Sequence, residues 1–218
     1  MSSKQSGAHS RFASLGLIAA ILLAMAGPLA VYAGAGTMVR QAAIQAVEAA
    51  NAAQKTARLR EVIGPGRDVD GDGDSDFVNP TGKGMRTEDN FGSGAFLSSR
   101  DGGVRRHLGA DYTATGGQGV DAPISGYVTK IGYAYADDQA LRYVELTNRA
   151  IGYAVRVFYI QPAVVVGQAV RLGQVIGKAE SLQKRYPGIT DHVHVEVADL
   201  ARGHVDPNKF IPSPELSL

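Results

Sequence analysis

Two kinds of hydrophobic pattern divide this chain. Residues 12–39 carry no charged side chain, and Lys4 and Arg11 come just before them. A run of about 20 apolar residues is long enough to cross a bilayer. Gly27-Pro28 followed by Val31-Tyr32-Ala33 has the shape of a secretory signal ending at a small-residue cleavage site. Alternatively the segment stays as a transmembrane anchor, its basic residues on the cytoplasmic side. Residues 1–37 are therefore expected to be a signal peptide or anchor. The rest is expected to be exported, either inner-membrane anchored and facing the periplasm or secreted after cleavage. Residues 38–63 are rich in Ala, Gln and Arg with a thin line of apolar points (Val39, Ile44, Val47, Leu59, Val62), which predicts a helical spacer ended by Gly64-Pro65-Gly66.

After Gly84 the period shortens. Short runs containing Val, Ile and Tyr, separated by Gly-rich turns, predict strands at 120–124, 127–131, 142–146, 154–160, 163–166, 174–176 and 192–197. Many short strands with no helix of any length imply a compact, mainly β unit, an antiparallel sandwich or open barrel. It is expected to occupy residues 85–212, with 213–218 a tail.

The last of these strands carries chemistry. Val193, Val195 and Val197 alternate with His192, His194 and Glu196, so the two imidazoles project from one face. Such a pair can serve as one metal ligand plus one general acid/base, or as two ligands. Upstream, His107 and Asp111 stand four apart around Gly109, with Gly102-Gly103 before them, a context that suits strand or loop better than helix. Two ligands there and one from the histidine strand make a nitrogen–nitrogen–oxygen set for Zn²⁺ with a fourth position open, as catalytic zinc sites have.

Between helix and β unit, residues 64–84 form an acidic linker. Asp68, Asp70, Asp72 and Gly73 fall at the first, third, fifth and sixth positions of an EF-hand-type loop, and Asp76 at the ninth. Asn79 stands where the bidentate Glu belongs. A Ca²⁺-stiffened linker and a plain solvated one are both compatible with this.

Composition narrows the field. At 218 residues and 44% hydrophobic content the chain can bury one real core, and a formal charge of +1 gives no electrostatic case for nucleic acid. The chain has no Cys, so no disulfide can brace it and a closed cysteine zinc site is excluded.

Several stretches together resemble a known family. His107-x-x-x-Asp111, Asp121-Ala-Pro-Ile-Ser-Gly-Tyr-Val, the run from Val166 to Gly177, and His192-x-His194 are similar to the lysostaphin/LytM-type zinc metallopeptidases, which cut peptides of bacterial cell walls. Met85-Arg-Thr-Glu-Asp, Val157-Phe-Tyr-Ile-Gln-Pro and the run from Leu182 to Glu196 are closer still to the branch of leukocyte cell-derived chemotaxin 2. The resemblance spans about residues 85–212 and implies a duplicated hybrid β motif. It also implies His107, Asp111 and His194 as zinc ligands, His192 as the histidine that moves a proton or holds the oxyanion, and peptidoglycan stem or cross-bridge peptides as partner. Its implied activity is metalloendopeptidase cleavage of those peptides. One stretch departs from the active-enzyme pattern: Phe158-Tyr159-Ile160-Gln161-Pro162 stands where a second catalytic histidine is usual, in a Tyr-x-His context, with Ile160 at or near that position. Loss of one acid/base group costs roughly a hundredfold to ten-thousandfold in rate. The alternative is therefore a catalytically weak or inactive zinc domain that binds wall peptide or regulates another hydrolase.

Overall fold

The computed structural model describes residues 33–63 and 66–214. The chain divides into two units, Met1–Gln45 and Ala46–Leu218. Of the first, the described part is the start of one helix, α1 (Ala33–Ile63). The expected membrane-crossing segment is corrected here: no helix among the described residues is long and apolar enough to cross a membrane. The helix α1 has the length, at 31 residues, but its sequence includes Arg40, Glu48 and Lys55. Each such charge costs about 2.5–3.5 kcal/mol at the bilayer centre. Anchoring at the inner membrane and a membrane partner have no support in this helix. The apolar run and signal-like motif of residues 12–32 lie outside the described residues.

The second unit is built on strands β1 (Ser99–Arg100), β2 (Arg105–Arg106), β3 (Ala110–Thr113), β4 (Gly119–Asp121), β5 (Gly126–Tyr135), β6 (Asp138–Asn148), β7 (Tyr153–Pro162), β8 (Ala169–Val170), β9 (Val175–Ala179), β10 (His192–Asp199) and β11 (Gly203–Val205). The unit is mainly β, as expected, and of the two expected forms it is nearer the open barrel than the sandwich: one nine-stranded sheet that curls, plus the small β1–β2 hairpin. The main order is β11-β10-β7-β6-β5-β8; β3 adds to β10, and β9 links β7 to β4. The curl follows from strands that change partner along their length: β7 pairs β10 up to Phe158 and β9 from Ile160. The run 163–166, expected as a strand, is a turn with Val165 and Val166 exposed.

Alternation decides what each strand buries. Val193, Val195 and Val197 enter a core that also holds Tyr112, Ile124, Leu146, Ile160 and Ile176. Their neighbours His192 and His194 face the other way, into a groove. Part of the acidic linker belongs to the core as well: Phe77 is fully buried, with its ring 5.1 Å from Phe210 and 5.7 Å from Tyr153. Burying a Phe of this kind stabilises by about 1.5–3 kcal/mol, which fixes residues 75–80 to the β unit.

Candidate metal centre

His194 on β10 is paired directly with Asp111 on β3 and with Phe158 on β7. One strand register therefore sets an imidazole against a carboxylate. His107 reaches the same point from the loop after the β1–β2 hairpin. Its backbone is held there by Leu97 N–H donating to His107 O at 2.8 Å and His107 N–H donating to Ser98 O at 3.0 Å. Gly109 is required between His107 and Asp111 because a Cβ there would fall on the Val195 carbonyl and meet His194 Cε1 at 2.7 Å.

Three potential ligand atoms converge. His107 Nε2 lies 2.8 Å from His194 Nδ1 and 3.1 Å from Asp111 Oδ1, and His194 Nδ1 lies 2.9 Å from Asp111 Oδ1. His107 Nδ1–H donates to Ala95 O at 2.9 Å; a carbonyl can only accept, so Nε2 keeps its lone pair for the centre. A tetrahedral ion with bonds of about 2.0–2.1 Å sets its ligands about 3.3 Å apart, so a small outward shift of these side chains accommodates one. The donor chemistry, two imidazoles and one carboxylate without thiolate, suits zinc or a similar divalent transition metal. All three residues are buried or nearly so.

The charges around this point are organised from behind. Arg86 donates Nε–H and Nη2–H to Asp111 Oδ2, at 3.2 and 3.0 Å, and Nη1–H to Gly92 O. Asp111 Oδ1 is left for the centre. Asp89 pairs with Arg86 Nη1 at 2.7 Å and accepts the N–H of Thr190 at 3.1 Å. Burial works to raise the Asp111 pKa, but hydrogen bonds from His107 and His194 outweigh it and hold this carboxyl well below the usual range. Burial opposes the charge on His194, yet its contacts with Asp111 and Glu196 push its pKa up to about 9. Glu196 Oε1 stands 3.5 Å from His194 Nε2, the outward edge of that ring. A carboxylate behind a ligating imidazole orients it and raises its basicity.

His192 sits beside the triad but outside it. Its Nδ1–H donates to Thr190 O at 2.7 Å, and Nε2 faces Asp111 Oδ2 at 3.6 Å. Burial lowers its pKa more than Asp111 raises it, so the ring is neutral near pH 7 and Nε2 is basic.

Ile160 does not line the groove. It is wholly buried in the core, and the reason is a bulge. Strand β6 pairs Tyr143 with Phe158 and Arg142 with Ile160, leaving Tyr159 as the extra residue at φ 65°. Phe158 and Tyr159 therefore both turn toward the groove, their rings 5.2 and 6.4 Å from that of His194. The Tyr159 phenol shares a hydrogen bond with Tyr135 at 2.9 Å, and burial pushes its pKa up to about 12. The groove itself has a volume of about 450 Å³. Its lining includes Arg86, Arg100 and Arg105 as well as Tyr135, Tyr159 and Tyr186. Burial depresses the Arg100 pKa; Asp111 opposes this, while Arg86 and Arg105 reinforce it. Of these residues Arg86, Asp89 and Arg100 carry no spacing signal in the sequence, because they meet the triad from loops and a hairpin rather than from its own strands.

The acidic linker is a separate matter. Asp68, Asp70 and Asp76 bring carboxylate oxygens within 4.8 Å of one another. The expected fourth residue, Asp72, is not of that group, and its Oδ1 accepts the N–H of Asp74. Asp68 accepts from Gly71 and Gly73, Asp70 from Asp72, and Asp76 from Val69. Asn79 caps a buried turn, accepting from Thr81 and Gly82 and donating to Lys83 O and Pro212 O. These bonds account for the loop's shape, and the expected Ca²⁺ gains nothing from Asn79.

Comparison with known proteins agrees with the site. The model of "Peptidase family M23" matches residues 105–207, a stretch that contains His107, Asp111, His192 and His194. Leukocyte cell-derived chemotaxin-2 of Mus musculus is 34% identical over 128 residues, covering 58% of this chain and 79% of that protein. The Bos taurus protein of the same name is 30% identical over the same shares. Among solved structures, the solution structure of lysostaphin has 19% identity and a TM-score of 0.44, over 62% of this chain and 61% of that one, so less than two thirds of it is spanned. With a family model over the whole site and a mammalian relative matched over most of its length, the chain belongs to peptidase family M23.

Proposed function

We propose that this domain binds peptides of the bacterial cell wall at a zinc ion held by His107, Asp111 and His194, and cleaves them weakly or not at all. Zinc in such a site supplies a Lewis acid that polarises a peptide carbonyl. The remaining work falls to the protein's own side chains. Arg86 keeps the Asp111 carboxylate aimed with one oxygen inward, and Glu196 stands behind His194. Phe158 and Tyr159 cover one side of the site with aromatic surface. His192 Nε2 is positioned to accept a proton within the groove.

A single observation carries the reading toward binding rather than turnover. Efficient hydrolysis of an amide needs a proton removed at one stage and delivered to the leaving nitrogen at another. Besides the ligands, the groove is lined by one imidazole, His192, while Ile160 points into the core and the Tyr159 phenol, at about 12, is a reluctant acid tied to Tyr135. The hydrolase reading keeps one observation of its own, the neutral His192 ring with Nε2 turned to the site.

Metal analysis, sedimentation with insoluble peptidoglycan and digestion of defined muropeptides test both readings. The expected result is about one zinc per chain, co-sedimentation lost in His194→Ala, and turnover at least a hundredfold below an ordinary enzyme rate of about 1–1,000 per second. Wild-type turnover on the order of 1 per second, abolished in His192→Ala, would restore the hydrolase.

A further inference from the structure

We propose that the groove selects peptides bearing a carboxylate, and that Arg100 is the residue that holds it. This rests on the peptide-binding reading above. Three arginines line the groove, Arg86, Arg100 and Arg105. Two of them have carboxylates at hydrogen-bond distance. Arg86 is taken up by Asp111, Asp89 and the Gly92 carbonyl. Arg105 pairs with Asp101 at 3.0 Å in solvent.

Arg100 is different. Its side chain is only 15% exposed, yet the nearest carboxylate oxygen, Asp111 Oδ2, stands 3.8 Å away and accepts two hydrogen bonds from Arg86. Its bonds are to neutral groups: Nη1–H to Ser98 Oγ and Ser99 O, and Nη2–H to Ser93 O. These fix the plane of the guanidinium while leaving Nε–H and one Nη2–H without an acceptor at bonding distance among the described residues. A mostly buried cation, oriented but left with only a 3.8 Å share of a carboxylate that Arg86 holds more closely, is a receptor for another anion. With Asp111 committed to a divalent cation, the negative charge nearest Arg100 is neutralised, and the demand increases. Of the other carboxylates lining the groove, Asp101 is paired with Arg105, and Glu196 is occupied by His194, His204 and Arg156. Tyr135, Phe158, Tyr159 and Tyr186, which also line the groove, give an extended peptide apolar cover while its carboxylate meets Arg100.

Calorimetry on the zinc-loaded chain tests this with N-acetylated tetrapeptides ending in alanine. Each is prepared as the free acid and as the C-terminal amide, and a third carries an internal glutamate and an amidated end. The free acid is expected to bind at least about tenfold more tightly than the amide, the effect of a charge-assisted hydrogen bond. The glutamate peptide identifies whether a side-chain carboxylate serves equally. R100Q is expected to erase the preference, and R100K to retain part of it, since lysine keeps the charge without the planar fork. Zinc content is measured for each variant. Should R100Q fail to fold or hold zinc, the preference of the wild type and its reduction in R100K decide the matter. Equal affinity for all three peptides, or a preference unchanged in the variants, overturns the carboxylate proposal and leaves peptide binding standing. Absence of binding by every peptide at millimolar concentration overturns both.

Discussion

Asp111 does the most at the scale of single residues. One oxygen meets two imidazoles and the other meets Arg86, so a ligand and the support behind it are the same carboxylate. Asp89 extends that support to His192, because it holds both Arg86 and the backbone of Thr190, whose carbonyl sets the tautomer of His192. Burial would raise the Asp89 pKa, but N–H bonds from Thr190 and Phe91 and the Arg86 pairing bring it down to about 2. A carboxyl whose folded pKa lies below its unfolded value stabilises the fold above the unfolded pKa, about 3.9, and loses that contribution as pH falls through the folded one. Asp89→Asn should therefore melt below the wild type at about pH 5, and the gap should close by about pH 2. Thermal melts followed by circular dichroism across that range check it. The histidine pair and His107 with Asp111 were legible in the sequence as chemistry. Arg86, Asp89 and Arg100 were not, since arginines and aspartates in loops look alike until the chain closes on itself.

At the scale of elements, the strand pair β3–β10 and the bulge in β7 make the site. The pair brings Gly109 against the Val195 backbone. Gly109→Ala should cost about 1–3 kcal/mol through overpacking, and it should weaken metal uptake because the methyl group displaces the His194 ring. Chemical denaturation and zinc titration read the two effects separately. The bulge at Tyr159 sends Ile160 into the core. Ile160→His is expected to give no hydrolysis and to destabilise by about 1–3 kcal/mol, because a buried imidazole there finds apolar neighbours. A gain of muropeptide cleavage in that variant would mean that β7 straightens to present the new side chain. Strand periodicity predicted β7 and β10 to within a few residues, but a bulge adds one residue without changing composition, so the facing of residue 160 was beyond its reach.

At the scale of the whole molecule, the described residues contain more than a β unit. Within the unit Ala46–Leu218, Lys55 of α1 reaches the buried Asp121 carboxylate at 2.7 Å, and Thr56 Oγ1–H donates to Ala52 O and Leu172 O. The spacer expected from the thin apolar pattern is fastened there by polar contacts. Burial raises the Asp121 pKa, and Lys55 offsets part of that rise. The charged carboxylate is therefore penalised on folding, and stability associated with it declines as pH rises from the unfolded pKa through the folded one. Lys55→Ala should lower stability by about 1 kcal/mol near pH 7, a modest figure because the Lys55 side chain is 45% exposed. The loss should shrink near pH 4, where a protonated Asp121 needs no cation. Melting both proteins at the two pH values tests the sign.

By itself the sequence determined the class of fold, the strand that carries His192 and His194, and the donor types that meet at one point. Those follow from local rules: alternation puts side chains two apart on one face, and residue type decides what chemistry each can offer. Only the tertiary structure decided which ring nitrogen turns inward, which arginine has no carboxylate at hydrogen-bond distance, and that Ile160 is a core residue. Each of these depends on register, bulges and contacts between segments 25 to 87 positions apart, and no local pattern encodes them.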